Sequence, residues 1–243
     1  MPCNKLRAEF LKNLDESLLS PLPPFRRLSH GQIREILDLA HPLLVAQGHE
    51  VFCEGMSAER FYLLLDGHIR VERINAAGDR VVSLHIPPGQ LFGIAAALGR
   101  NTYPATSVAA TECMTLWWPL SLFDGFAARY DGFADEVHRT VGHRFEEMNS
   151  RVMELATQQV EQRVASALLR LTRQNGRQTD TGIEIAFPIT RRIISEMTGS
   201  TLHTVSRLLS TWERGDILQS HRKHINVLDP DRLEALSRPD APL

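Results

Sequence analysis

Leu202, His203, Ser206 and Arg207 fall on one outward face of a short helix, and their chemistry is that of recognition rather than bond breaking. An arginine can grip a guanine edge with two parallel hydrogen bonds, while hydroxyls and an imidazole can reach other base edges or phosphates. Thr190, Arg191, Arg192, Thr201, Thr204, Arg222 and Lys223 lie close to this face in the chain and complete a set of candidate DNA contacts. The sequence has no nucleophile-base motif, glycine-rich phosphate loop, acidic pair or HExxH-type histidine spacing, so an enzyme is not expected.

The segment that must position these groups is TRRIISEMTGSTLHTVSRLL, residues 190–209. Ile193, Ile194 and Met197 are spaced three and four apart, as one apolar face of a helix requires. Gly199 supplies the freedom for a sharp turn, and Ser200 or Thr201 caps the next helix, whose Val205, Leu208 and Leu209 would pack inward. Upstream, Ile183–Ile189 alternates like a strand, with Thr190 as the following N-cap. Downstream, Gly215-Asp216, two short apolar runs and the basic turn Gln219-Ser220-His221-Arg222-Lys223-His224 describe a hairpin wing. Strand, two helices and wing make a winged helix. Between Ala156 and Leu228 there are ten Lys and Arg against six Asp and Glu, although the whole chain carries a formal charge of −2. Gathered cations can bind DNA even on a net-acidic chain, because phosphate contacts depend on local charge.

The N-terminal half has a different pattern. Short strand-like runs at Val51-Phe52, Phe61–Leu65, His68–Ile74, Arg80–Ile86 and Cys113–Trp118 alternate with turns rich in Gly, Pro and Asp. This predicts an antiparallel sandwich or jelly roll, with an interior able to hold a small ligand. From Phe133 to Arg173 there is no proline, and Val137, Val141, Phe145, Met148, Val152 and Leu155 repeat at spacings of four and three. That stripe predicts a long helix with a coiled-coil seam, hence a homodimer, although a helix lying against its own barrel would account for part of it.

The expected fold is therefore α+β, with an N-terminal antiparallel β jelly roll over residues 1–131, a dimerisation helix over 132–157 and a winged helix-turn-helix over 158–243. At 243 residues the chain has room for these domains, and no stretch is apolar enough to span a bilayer or serve as a signal peptide. A cytoplasmic protein with no membrane partner is expected. Cys3, Cys53 and Cys113 lack metal or disulfide spacing and read as free thiols.

This order of parts resembles the family of the cyclic-AMP receptor protein and the anaerobic regulator Fnr, from about Leu28 to Leu228. The matching segments are Phe61–Val71, Pro88-Gly89-Gln90-Leu91-Phe92-Gly93 at the ligand cassette, and Gly199 through Thr204-Val205-Ser206-Arg207. The resemblance implies a cyclic-nucleotide-binding-like domain and a homodimeric regulator, preferentially an activator, on a palindromic double-stranded DNA operator with RNA polymerase as partner. It also implies an effector pocket at Leu91, Phe92, Gly93, Ile94, Tyr103, Pro104 and Ala105, with Met148 and Asn149 from the long helix.

Departures from the family pattern narrow the effector. Ile94 stands where cyclic-AMP binders keep a glutamate, and Pro104-Ala105 replace their Arg-Ser or Arg-Thr pair, so a buried cyclic phosphate would lack its counter-charge. Cyclic AMP is not expected. Cys3 alone cannot supply the N-terminal cysteine group that holds an iron-sulfur cluster in Fnr-type sensors, so no such cluster is expected. The carbon-monoxide sensor of the family ligates its metal with an N-terminal proline and a cassette histidine; Pro2 is present, but Ala95 replaces the histidine. Thr102–Thr106 and His203–Arg207 resemble the Dnr and NnrR subgroup, which implies control of denitrification genes in response to nitric oxide sensed through haem, with His85 and His68 as ligand candidates. The alternative is an effector-independent or redox-responsive regulator. His203 replaces the glutamate that commonly precedes the Thr-Val-Ser-Arg run, so a shifted operator is expected.

Overall fold

The computed structural model describes residues 14–238. It divides into two units: residues up to Glu72 with Leu84–Glu146, and Arg73–Ser83 with the chain from Glu147 onward.

The first unit contains two four-stranded sheets, except that Arg73-Ile74 and Arg80–Ser83 of the second sheet count with the second unit. One has the order β1 (His41–Val45), β8 (Cys113–Pro119), β3 (Arg60–Asp66), β6 (Leu91–Phe92); the other runs β2 (Glu50–Phe52), β7 (Thr106–Ala109), β4 (Ile69–Ile74), β5 (Arg80–Ile86). Strand β8 is antiparallel to both β1 and β3. The unbroken apolar run Phe61–Leu65 is explained by β3 being covered on both faces. Tyr62 and Leu64 join a cluster with Ile69, Ile86 and Phe92, whereas Phe61 and Leu63 join one with Trp118, Phe123 and Phe126. That second cluster also takes residues from the helices α1 (Glu16–Leu19), α2 (His30–Asp38), α3 (Phe123–Arg129) and the start of α4 (Phe133–Thr157). Gly67 has φ +88°, and a Cβ there would stand 2.3 Å from the Glu112 carbonyl oxygen, so the Asp66-Gly67 turn requires glycine. Strands β1, β6 and β7 were not anticipated; β6 is two residues long, too short to show any alternation.

The second unit is built from α5 (Val160–Asn175), the hairpin β9 (Gly176–Thr179) and β10 (Gly182–Ile185), α6 (Arg191–Thr198), α7 (Leu202–Arg214), β11 (Leu218–His221), β12 (His224–Val227) and α8 (Pro230–Ser237). Its four strands form one sheet in the order β11-β12-β10-β9. The strand expected over Ile183–Ile189 ends at Ile185, because only Gly182–Ile185 has a partner on β9, but Phe187 and Ile189 remain buried. The core draws Leu168, Ile194, Val205, Leu209, Trp212 and Ile225 together, and Val82 of the β4–β5 hairpin lies in the same cluster, fully buried.

The single long helix read over Phe133–Arg173 is two helices, α4 and α5, interrupted at Gln158-Gln159. Gln159 has extended backbone and forms a reciprocal cap with Gln162, so polar side chains start a new helix without proline or glycine. Arg170 on α5 pairs with Glu154 at 2.8 Å and lies 3.7 Å from Glu147, both on α4. Arg151 donates to the carbonyls of Ser83 and Met197, and Arg163 donates to those of Thr198, at 3.1 Å, and Gln158, at 2.8 Å. Two arginines thus satisfy carbonyls at the C-terminus of α6, which no intrahelical donor can reach. Burial pushes the Arg151 guanidinium down to about 10, with Arg170 adding to the shift.

The seam is shorter than the sequence stripe. Val137 is buried in the first unit's core and Val141 packs against it, so both are intramolecular core residues. Phe145, Met148, Val152 and Leu155 stay exposed, joined by Met153. No helix among the described residues is long and apolar enough to cross a membrane.

Candidate nucleic-acid interface and effector cassette

Thr190 caps α6 by accepting from the Ile193 amide, and Gly199 ends that helix in left-handed conformation at φ +60°. Thr201, not Ser200, caps α7, accepting from the Thr204 amide. These hydroxyls are committed to helix starts: the Thr201 and Thr204 oxygens stand 2.9 Å apart, so both threonines serve the turn as well as any outer contact. Val205 and Leu209 anchor the inner face of α7 at zero exposure. Leu202, His203 and Arg207 project outward, Leu202 with 49% of its surface open, while Ser206 is half-buried. A helix docked by its apolar side and exposing this row is shaped for a groove.

The expected cations separate into two groups. Arg191 pairs with Glu213 at 3.1 Å, and Arg192 pairs with Glu196 one turn along α6 at 3.0 Å. Each of these two thus has a carboxylate partner within the fold, although the Arg192 side chain remains largely exposed. Arg207, Arg222 and Lys223 are exposed, and none has a carboxylate within ion-pair distance among the described residues. Arg222 and Lys223 form the two-residue tip between β11 and β12, where His221 pairs with His224.

The effector cassette is filled from within. Leu91, Phe92, Ile94, Tyr103 and Ala105 are buried, with Gly93 and Pro104 half-buried. The rings of Phe52 and Tyr103 stack at 3.8 Å, Tyr62 and Phe92 at 5.0 Å, and Phe52 and Tyr62 at 5.6 Å. A Cβ at Gly93 would meet the Tyr62 ring at 2.8 Å and Phe52 at 3.1 Å, so the glycine makes room for protein rings. The Tyr103 hydroxyl donates to the Arg60 carbonyl at 2.8 Å and accepts from the Arg60 amide at 3.2 Å. Burial holds the Tyr62 phenol well above its ordinary range, with Tyr103 contributing. Phe52 and Tyr62 were missed as cassette residues; an alternating strand cannot reveal which of its rings will meet across two sheets. Arg144 on α4 donates to the Leu91 carbonyl at 2.7 Å, another contact without a sequence signal. Met148 and Asn149 are exposed residues of the second unit.

His85 does not face the cassette. Leu84 and Ile86 enter the intersheet cluster, so strand alternation turns His85, though buried, to the opposite side of β5. His68 precedes β4, its amide bonded to the Thr111 hydroxyl and its carbonyl accepting from Ala110, and burial lowers its imidazole below the usual range. Among the described residues no group of three or more His, Cys, Asp and Glu could hold a metal ion. Cys53 donates to Glu50 at 3.0 Å, which raises its thiol, and burial raises Cys113. Pro2 and Cys3 lie outside the described residues.

Residues 43–130 match the cyclic nucleotide-binding domain family, and residues 162–236 match the Crp-like helix-turn-helix domain family. The chain is 27% identical over 216 residues to the global nitrogen regulator of Synechococcus elongatus, covering 87% of this chain and 94% of that protein. It is 23% identical over 206 residues to the fumarate and nitrate reduction regulatory protein of Vibrio cholerae, covering 85% and 81%. Among solved structures, FixK2 of Bradyrhizobium japonicum superposes with a TM-score of 0.73 at 23% identity, covering 83% of this chain and 99% of that one. A nucleotide-binding-type sandwich and a Crp-like reading domain, in that order and with full-length regulators as relatives, place the chain in the Crp/Fnr family of DNA-binding transcriptional regulators rather than among enzymes.

Proposed function

We propose that the protein regulates transcription as a homodimer that reads a palindromic operator with Arg207 and its neighbours on α7. The observation that carries this reading is the separation of charge. Arg207, Arg222 and Lys223 are left exposed on the reading helix and the wing with no carboxylate in ion-pair distance among the described residues, while Arg191 and Arg192 on α6 are paired. Exposed Phe145, Met148, Val152 and Leu155 offer an apolar stripe for a second copy, and a two-fold axis would give the operator its palindromy. His203 beside Arg207 shifts the preferred base from the one a glutamate would read. Activation through RNA polymerase follows the habit of the family. Selection from a randomised duplex pool tests this: a two-fold symmetric site with a guanine dependent on Arg207 is expected, and enrichment of no symmetric site would count against it.

For the effector, the cassette supports little beyond its own side chains. A cyclic nucleotide would need a cation for its phosphate, and Ile94, Pro104 and Ala105 provide none. Haem does not fit these residues either: four aromatic rings occupy the intersheet space and His85 points away from it. Nitric oxide sensing through haem, and with it a role in denitrification, therefore has only the subgroup resemblance behind it. The packing favours the alternative of an effector-independent regulator. Redox control gains nothing from Cys53 or Cys113, whose raised thiols disfavour the reactive thiolate. Anaerobic reconstitution with haem, followed by nitric oxide, separates these readings. An unchanged spectrum and unchanged DNA affinity are expected; a haem-dependent gain in affinity would restore the sensor reading.

A further inference from the structure

A cavity of about 50 Å³ lies in the first unit between residues 23–27 and the start of α4, and it shares no residue with the intersheet cluster of the cassette. Arg26, Arg27 and Arg139 line it, together with Glu136 and Gly132. Its walls are held by the core, because Phe25 and Phe133, next to these residues in the chain, are 1% and 2% exposed. Gly132 has φ +83°, and a Cβ there would stand 2.6 Å from the Arg27 Cδ, so glycine makes room for the Arg27 stem. Each guanidinium is fixed by one hydrogen bond among the described residues: Arg26 to the Pro21 carbonyl at 3.0 Å, Arg27 to Asp135 at 3.0 Å and Arg139 to Glu136 at 2.5 Å. A guanidinium carries several N–H groups, so most of their donors remain for a ligand. Three cations against Asp135 and Glu136 leave the site net positive. Glu136 is the unexpected member, a residue only 9% exposed that places a carboxylate in the wall of an arginine-lined cavity. It would repel a fully ionised anion, but an anion that keeps a proton can donate a hydrogen bond to it.

We propose that this cavity is a binding site for orthophosphate, whose ionised oxygens the three arginines hold while its remaining O–H donates to the Glu136 carboxylate. The volume sets the size of the ligand: a water needs about 10–15 Å³ by the same measure, so there is room for one tetrahedral oxyanion and not for a nucleotide. Arginine supplies the charge-assisted bonds that such oxygens favour. Glu136 supplies the discrimination. Phosphate near neutral pH retains at least one O–H, whereas sulfate has none and would bring a bare oxygen against a buried carboxylate, leaving two acceptors facing each other without a proton. No residue of the cassette or of the reading helix takes part in the site.

The test is isothermal titration of the full-length protein with potassium phosphate and with potassium sulfate, at matched ionic strength in KCl so that general screening is the same in both. Saturable binding of one phosphate per chain is expected, with sulfate weaker by about tenfold or more, the scale of one lost hydrogen bond to a charged group. Arg139→Gln and Arg26→Gln should each weaken phosphate by about tenfold or more. Because Arg139 also pairs with Glu136, Arg26→Gln is the variant in which the carboxylate keeps its partner. Glu136→Gln, whose amide can donate, should bring sulfate close to phosphate in affinity. The wild-type protein decides the matter even where a variant fails to fold: no saturable phosphate binding, or sulfate bound as tightly, overturns the site. Unchanged phosphate affinity in folded Arg26→Gln, or unchanged selectivity in folded Glu136→Gln, overturns it as well.

Discussion

The cassette and the reading domain treat their candidate functional residues in opposite ways. In the cassette, the positions that would face a ligand are turned into core: Phe52, Tyr62, Phe92 and Tyr103 satisfy one another, and even the Tyr103 hydroxyl is bound to the Arg60 backbone. In the reading domain the core is completed by other residues, Val205, Leu209 and Trp212, and the recognition groups remain outside with unmet bonding capacity. Matching a family pattern therefore carries different weight in the two places. Arg207 is exposed with no carboxylate partner among the described residues, whereas the cassette side chains pack on one another.

The sharpest way to break the comparison is to empty the cassette. Phe52→Ala removes a ring from the stack and should destabilise the protein by about 3–4 kcal/mol, measured by urea unfolding. A small loss would mean that the interior is loose enough to admit a ligand. Arg151→Ala probes the other unit, where it strands the carbonyls of Ser83 and Met197 and leaves Glu147 and Glu154 to Arg170 alone. A loss of about 2 kcal/mol is expected, moderated because the side chain is only half-buried.

The third comparison lies within the reading domain. Arg207→Ala should lower discrimination at one guanine by about 1–3 kcal/mol, read as a ratio of affinities for matched and mismatched duplexes. Arg192→Ala, which loses an exposed pair to Glu196, should change stability by no more than about 0.5 kcal/mol and leave that ratio alone. Equal effects on discrimination would erase the distinction between free and paired cations.

The smallest effect concerns pH. Burial depresses the His68 imidazole in the folded state, so as pH falls through about 6.5 the unfolded chain takes up this proton first. Stability should therefore decline on acidification over that window and level off once the folded state is protonated too. His68→Gln should flatten that part of the profile of Tm against pH, and an unchanged profile would show that His68 is not its source.

Much of the reading domain was legible because its signals are local. The spacing of Ile193, Ile194 and Met197, the left-handed Gly199 and the polar cap of α7 each act within a few residues, and all appear in the structure. The domain boundary was placed after residue 157, where α4 ends, but the cap that makes the break was not legible, since two glutamines are ordinary helix residues until one caps its neighbour. The seam was half legible. A stripe of apolar residues looks the same whether it meets its own barrel, as at Val137, or stays open for another copy, as at Phe145.

The sequence by itself determined the order of the parts, the helix pair and a basic turn in the wing, because these depend on residue type, short spacing and chain connectivity. Only the tertiary structure decided that four rings close the cassette, that His85 turns away from it, and that Arg191 and Arg192 are paired while Arg207, Arg222 and Lys223 are not. Those outcomes depend on which side chains meet across sheets and helices distant in the chain. Whether a charge is balanced or a cavity filled is a property of such meetings, and no single segment encodes it.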